Sequence, residues 1–313
     1  MSLAFVFPGQ GSQSLTMLSD LAEQFPEVEQ TFSQASEVLG YDLWALVSNG
    51  PVEELNQTDK TQPAMLAAGI AVWRCWQKTT DIKPAYFAGH SLGEYTALVA
   101  AGALDFSDAI KLVSQRGQFM QQAVPAGEGA MAAVLGLDDE TVIALCDEAA
   151  AQGVVEAVNF NSPGQVVIAG SANAVNKAIE LAKEKGAKRA LLLPVSVPSH
   201  CALMKPAAAN LATELTNITV TSPSTPVIHN VSVTTTSDAK EIKSLLAQQL
   251  HSPVRWVETV QFLAQQGVDK IVECGPGKVL AGLTKRIDKS VVAYPVLDTA
   301  TLEKAVQALG ETS

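Results

Sequence analysis

The sequence predicts an α/β protein in which a mainly parallel sheet, covered by helices, carries a smaller inserted domain. Three observations lead there. Short apolar runs at residues 3–7 and 85–88 alternate with helical segments, the pattern of parallel strands joined by helices. The middle of the chain reads instead as strand, helix, strand, strand, helix, strand. With 313 residues, 47% of them hydrophobic and 17% charged, the chain can build one large core or a large and a small one.

Residues 3–7 form an apolar run ended by Pro8 and Gly9, so a buried strand feeds the loop Gly9-Gln10-Gly11-Ser12-Gln13. Residues 61–76 read as a buried helix. Residues 85–88, introduced by Pro84, form a second strand that runs into Gly89-His90-Ser91-Leu92-Gly93. A helix follows through Tyr95, Leu98 and Val99 and stops at Gly102. Residues 109–123 form another helix. Residues 131–135 then read as a strand, and Asp138 caps a helix whose Val142, Leu145, Cys146 and Ala149 share one face. Strands at 154–158 and 166–169 flank Asn161-Ser162-Pro163-Gly164, which reads as a hairpin turn. Ser171 opens a helix with Val175, Ala178, Ile179 and Ala182 on one face, Lys183 and Lys185 in its last turn, and Gly186 as its stop. Residues 189–195 close the unit with a strand. This order is ferredoxin-like and places the inserted domain at residues 125–196, with 1–124 and 197–313 forming the large domain. A strand at 270–273 leads into Cys274-Gly275-Pro276-Gly277.

A net charge of -11 opposes general nucleic-acid binding, which needs a positive surface. Cys75, Cys146, Cys201 and Cys274 form no C-x-x-C pair and no Cys/His cluster with metal spacing, so neither zinc nor a disulfide framework is expected. Isolated thiols fit a reducing compartment. The first residues lack a basic stretch and reach Pro8 too early for a signal peptide, and no apolar run is long enough to span a bilayer. The expectation is a cytoplasmic protein without a membrane partner.

Gly89-His90-Ser91-Leu92-Gly93 fits G-x-S-x-G, in which a sharp strand-to-helix turn projects a nucleophilic serine. Such a serine needs a base. Of four histidines, His90 adjoins Ser91 and should point away from it. The sequence places His229 in a strand and His251 near a helix end, where structural roles suffice. His200 follows Pro198 and Ser199 where a strand gives way to a helix, a usual place for sites in α/β folds. The residues alone leave both a catalytic and a structural role open for it. Arg116 shares an apolar helix face with Leu112 and Phe119. A guanidinium there is either an internal ion-pair partner or a receptor for a substrate carboxylate.

Phe5-Val6-Phe7-Pro8-Gly9-Gln10-Gly11-Ser12-Gln13, Gly89-His90-Ser91-Leu92-Gly93-Glu94-Tyr95, Arg116 and Val197-Pro198-Ser199-His200 occur in that order. In this the chain resembles the malonyl-CoA:acyl carrier protein transacylases of the discrete fatty-acid-synthesis type, over essentially its full length. The resemblance implies a large domain related to α/β-hydrolases with a ferredoxin-like insertion, and a Ser91–His200 dyad. It implies that the backbone carbonyl of Gln249, not an acidic residue, orients the histidine. It further implies an oxyanion hole from the backbone N–H groups of Gln10 and Leu92, and Arg116 as receptor of the malonyl carboxylate. Malonyl-CoA and acyl carrier protein are the implied partners, and no metal or other cofactor is expected. In polyketide acyltransferases the tetrapeptide ending at this histidine is commonly His-Ala-Phe-His or Tyr-Ala-Ser-His; Val197-Pro198-Ser199-His200 matches neither and resembles the fatty-acid type. The pairs Lys188-Arg189 and Lys285-Arg286 are candidates for docking an acidic carrier. A serine esterase, a non-catalytic carrier-binding module and a free-standing polyketide acyltransferase are the competing readings.

Overall fold

The computed structural model describes residues 2–195 and 197–310. Met1, Ser196 and residues 311–313, which the expected domain division includes, lie outside the described residues. The strands in chain order are β1 (Ser2–Phe7), β2 (Tyr86–Gly89), β3 (Gly129–Leu135), β4 (Val155–Ser162), β5 (Gln165–Ser171), β6 (Arg189–Leu192), β7 (Val227–Ile228), β8 (Val268–Cys274) and β9 (Val292–Val296). They sort into two sheets. One is parallel throughout, in the order β7-β2-β1-β8-β9. The other is antiparallel, in the order β4-β5-β3-β6, which is the ferredoxin-like arrangement expected for the insertion.

β1 lies at the centre of the parallel sheet, and Ala4, Phe5, Val6 and Phe7 are all fully buried. Side chains alternate along a strand, so the two faces of β1 enter two different cores. Phe5 packs edge-on against Trp73 and Trp76 of the Thr58–Thr79 helix, with ring centroids 5.1 and 5.0 Å away. Ala4 and Val6 enter a second core with Ile228, Trp256 and Ile271. Covering both faces is what lets a parallel sheet persist.

The antiparallel sheet is covered differently. Ala132 and Val134 of β3 pack under the Asp139–Ala149 and Ala172–Glu184 helices, on Val142, Leu145, Val175 and Ala178. Its other face presents Met131, Val158, Val167 and Ala169 to Cys201. That face is turned toward the segment carrying His200. β4 is tied to the large sheet's side of the molecule through Val254, whose N–H donates to the Val158 carbonyl at 2.8 Å and whose carbonyl accepts from Phe160 N–H at 3.0 Å.

Two local expectations change. The hairpin strands run on to Ser162 and restart at Gln165, so the turn is only Pro163-Gly164, with Gly164 at φ 71°. The closing strand ends at Leu192 rather than Val195, because Pro194 has no N–H to continue the ladder with β3. Leu191 and Leu192 are consequently exposed on an edge strand, while Leu193 and Val195 line the pocket described next. Among the described residues, no helix is long and apolar enough to cross a membrane.

Candidate active site

β1 and β2 pair in register through Phe7 and Gly89, so the loops after them open side by side at the carboxyl edge of the sheet. Ser91 stands in the turn after β2, at φ 52°. A non-glycine residue in the left-handed region is uncommon and marks a backbone held in place by its surroundings. The flanking glycines hold it. A Cβ on Gly89 would lie 1.9 Å from the Gly93 carbonyl, and one on Gly93 would lie 2.0 Å from the Phe7 carbonyl oxygen. The spacing of G-x-S-x-G thus follows from strand and helix meeting at contact distance. Asn230 braces the same turn: its Oδ1 accepts from Ser91 N–H at 2.7 Å and its Nδ2 donates to the Gly89 carbonyl at 2.7 Å.

The Ser91 hydroxyl lies 2.7 Å from Nε2 of His200. His200 Nδ1 lies 2.8 Å from the backbone carbonyl oxygen of Gln249, so Nδ1 carries the proton and Nε2 is left to accept from the serine. His200 also adopts a left-handed conformation, φ 69°, fixed by its N–H donating to the Leu250 carbonyl at 2.9 Å. It is only 2% exposed. Burial first, and then the positive charge of Arg116, push its pKa down to about 3, so the imidazole stays neutral at physiological pH. Two other histidines are held by partners of their own. His90 pairs with Asn161 Oδ1 at 2.8 Å. His229 is fully buried with its Nδ1 on Glu94 Oε1 at 2.7 Å.

Arg116 projects from the Phe106–Ala123 helix and is 2% exposed. Its Nη1 donates to Gln62 Oε1 at 2.7 Å and its Nη2 to Gln249 Oε1 at 3.0 Å, while Nη2 also lies 3.5 Å from Ser91 Oγ. Its direct partners here are neutral amides, and its buried Nε has no hydrogen-bond partner among the described residues. The guanidinium is therefore a buried cation with Nη2 near the serine hydroxyl and Nε left without a partner among the described residues, an arrangement that suits an anion.

Ser91, His200 and Gln10 line one cavity of about 110 Å³, closed on the side of the antiparallel sheet by Met131, Asn159, Leu193 and Val195. Gln10 follows Pro8-Gly9 at the end of β1, and Leu92 heads the Gly93–Ala100 helix. Lys188, Arg189, Lys285 and Arg286 are all exposed. Lys188 and Arg286 line one surface groove with Gln165 and Asp138, and Arg286 Nη1 donates to Gln165 Oε1 at 2.8 Å. None of the four lines the Ser91 cavity. Among the described residues, no group of three or more His, Cys, Asp or Glu side chains could hold a metal ion.

Gln62, Glu94, His229 and Asn230 belong to the site's supporting framework and were not singled out from the sequence as site residues. Each acts through a contact 54 or more positions away in the chain, such as Asn230 on Ser91 or Gln62 on Arg116. The adjacency of Glu94 to Gly93 was the one local signal.

Residues 4–304 match the family model described as acyl transferase domain. The malonyl CoA-acyl carrier protein transacylase of Haemophilus influenzae is 58% identical over 307 residues, covering 98% of both chains, and that of Salmonella typhimurium is 56% identical over 303 residues, covering 97% of this chain and 98% of the other. A crystal structure of an acyl carrier protein S-malonyltransferase from Vibrio cholerae superposes with a TM-score of 0.95 at 61% identity, over 97% of this chain and 100% of that one. A malonyl-transacylase solved in complex with its type II polyketide acyl carrier protein gives 0.97 at 57% identity, over 98% and 100%. The chain belongs to the acyl transferase family and, within it, to the malonyl CoA-acyl carrier protein transacylases.

Proposed function

We propose that this enzyme transfers a malonyl group from malonyl-CoA to the phosphopantetheine thiol of acyl carrier protein through an ester on Ser91, in the cytoplasm, and so supplies extender units for fatty-acid synthesis. The observation that carries the reading is the run of contacts from the Gln249 carbonyl through His200 to the Ser91 hydroxyl, with Arg116 3.5 Å from the same oxygen.

The Arg116 guanidinium receives the free malonyl carboxylate. His200 Nε2 takes the serine proton as Ser91 Oγ attacks the thioester carbon. The negative charge that develops on the carbonyl oxygen is met by the backbone N–H groups of Gln10 and Leu92. The C–S bond breaks, and His200 returns the proton to the departing coenzyme A thiolate. In the second half, the carrier thiol gives its proton to His200 and its sulfur attacks the malonyl-serine ester; the ester C–O bond breaks, and His200 returns the proton to Ser91 Oγ. One thioester replaces another, so the scheme calls for no metal or redox cofactor, and the kinetics are ping-pong.

Arg116 also links binding to base strength. Its charge is one cause of the depressed basicity of His200. A malonyl carboxylate seated on the guanidinium offsets that charge, so the correct substrate makes His200 a stronger base. On this reading residues 1–124 and 197–313 form the acyltransferase body, and the inserted domain of residues 125–196 closes over the serine. Carrier docking at Lys188, Arg189, Lys285 and Arg286 belongs to the same proposal, since paired cations would offset the acidity of both partners.

The test is intact-protein mass spectrometry after brief exposure to malonyl-, methylmalonyl- and acetyl-CoA. A malonyl adduct on the wild type that is absent from Ser91→Ala is expected. Stoichiometric labelling of Ser91→Ala would sink the assignment.

A further inference from the structure

Beneath the Ser91 turn lies a buried carboxylate that the acyl-transfer scheme does not use. Glu94 is fully buried, and three donors converge on it. Its Oε1 accepts from His229 Nδ1 at 2.7 Å, and its Oε2 accepts from Asn230 N–H at 3.0 Å and from Gln249 Nε2 at 2.7 Å. A carboxylate in this position can only accept, so the Gln249 amide must turn its Nε2 toward Glu94. That same Nε2 also donates to the Ser91 carbonyl at 3.0 Å. The amide oxygen is thereby left facing Arg116, where it accepts from Nη2 at 3.0 Å. On the other arm, Asn230 brackets the serine turn with both ends of its side chain, through Ser91 N–H and the Gly89 carbonyl. Glu94 thus stands behind both the guanidinium and the nucleophile turn without touching either reacting group.

We propose that Glu94 is a positioning residue which, by fixing the Gln249 amide, aims Arg116 and so sets the preference of Ser91 for acyl groups that end in a carboxylate. The inference rests on the proposed Ser91 acylation and on Arg116 as carboxylate receptor. Without an acceptor at Glu94, Gln249 Nε2 keeps only the longer bond to the Ser91 carbonyl at 3.0 Å, a neutral acceptor in place of a carboxylate, and the amide can turn over. It would then present Nε2 to the guanidinium, donor against donor, and Arg116 would leave the place from which it meets the substrate. Glutamine at position 94 can rescue the arrangement. Its Oε1 can take the Gln249 and Asn230 donors, while its amide nitrogen donates to a His229 that moves its proton from Nδ1 to Nε2.

The experiment measures rates of Ser91 acylation by malonyl-CoA and acetyl-CoA by intact mass in the wild type, Glu94→Ala, Glu94→Gln, Arg116→Ala and the Glu94→Ala/Arg116→Ala double variant. Glu94→Ala should lower the malonyl-to-acetyl ratio about tenfold or more, the effect of losing one charge-assisted hydrogen bond. Glu94→Gln should restore most of that ratio. The double variant should show the same ratio as Arg116→Ala alone, because both changes remove one interaction. Parallel loss of both acyl groups in folded Glu94→Ala, no rescue by glutamine, or a further fall in the double variant would each overturn the inference. If Glu94→Ala does not fold, Gln249→Ala removes the amide while keeping the backbone carbonyl on His200; an unchanged ratio there also overturns it. Absence of a malonyl adduct on the wild type would bring down the acylation scheme itself, and a normal ratio in Arg116→Ala would bring down the carboxylate receptor. Both are separable from a wild type that labels normally but does not depend on Glu94.

Discussion

Nδ1 of His200 lies 2.8 Å from the carbonyl oxygen of Gln249, so the imidazole is oriented by a neutral dipole where a hydrolase triad has a carboxylate. The consequence is electrostatic. A carboxylate there would hold an imidazolium in place, whereas a carbonyl fixes the tautomer without stabilising the charge to the same degree. Burial and then Arg116 keep His200 neutral in the resting site, against the smaller opposing pull of the Gln249 carbonyl.

His200→Ala should slow Ser91 acylation by roughly 10²–10⁴-fold, the usual contribution of general-base catalysis. His251→Ala should change the labelling rate little, because neither Ser91 nor the Gln249 carbonyl uses that ring. Stopped-flow release of coenzyme A would measure both. A loss for His251→Ala as large as that for His200→Ala would contradict the base assignment.

The depressed pKa of His200 has a direction that can be checked. The ordinary value is 6.5 and the folded value about 3, so between these limits the unfolded chain binds the extra proton. This group's contribution to stability is therefore complete above pH 6.5, declines as the pH falls toward 3, and is lost below it. Activity should follow the same logic. The second-order rate constant for acylation reports the free enzyme, and should not fall between pH 8 and pH 6 through protonation of His200. A fall of about fourfold across that range, as an ordinary histidine pKa of 6.5 would give, would mean that the histidine titrates as though exposed.

Much of this was legible in the sequence, and for local reasons. The βαββαβ order was readable because each element carries its own period and stop, as with Asp138 capping its helix through Thr141 N–H and Gly186 ending the next at φ 87°. Ser91 was readable because its turn needs glycine on both sides. Arg116 carried only half its meaning in sequence. Its apolar helix face was visible, but its amide partners Gln62 and Gln249 lie 54 and 133 positions away. Glu94 with His229 and Asn230 was less visible still, since nothing in a short window reveals which buried side chains will converge. The end of β6 was misjudged because the apolar run continues past Pro194, which has no N–H to extend the ladder, and the edge position leaves Leu191 and Leu192 more than half exposed.

Charge reversal at Lys188-Arg189 and at Lys285-Arg286 should raise the Michaelis constant for the carrier and leave labelling by malonyl-CoA intact, because neither pair lines the Ser91 cavity. Since Lys188 and Arg286 line one groove, reversing both should cost more than either alone. Steady-state transfer at low ionic strength, where such charges are least screened, is the measurement. Unchanged carrier kinetics there would remove these residues from the interface.

Arg116 should decide which acyl group is accepted. Malonyl and acetyl differ by one carboxylate, so a preference for malonyl needs a group that rewards that charge. The guanidinium is buried, two of its nitrogens are held by Gln62 and Gln249, Nη2 lies 3.5 Å from Ser91 Oγ, and the buried Nε has no hydrogen-bond partner among the described residues. A charge-assisted hydrogen bond contributes about 1.5–3 kcal/mol, so Arg116→Ala should slow malonyl transfer at least about tenfold to a hundredfold. Acetyl-CoA makes no such pair and should lose little; it can gain, because it no longer has to bury an unsatisfied cation. Arg116→Lys should restore only part of the malonyl rate, since an ammonium cannot reach Gln62, Gln249 and a carboxylate with one planar fork. The decisive quantity is the malonyl-to-acetyl ratio of serine acylation in the three proteins. A parallel fall of both acyl groups would make Arg116 a structural residue and place the carboxylate receptor elsewhere.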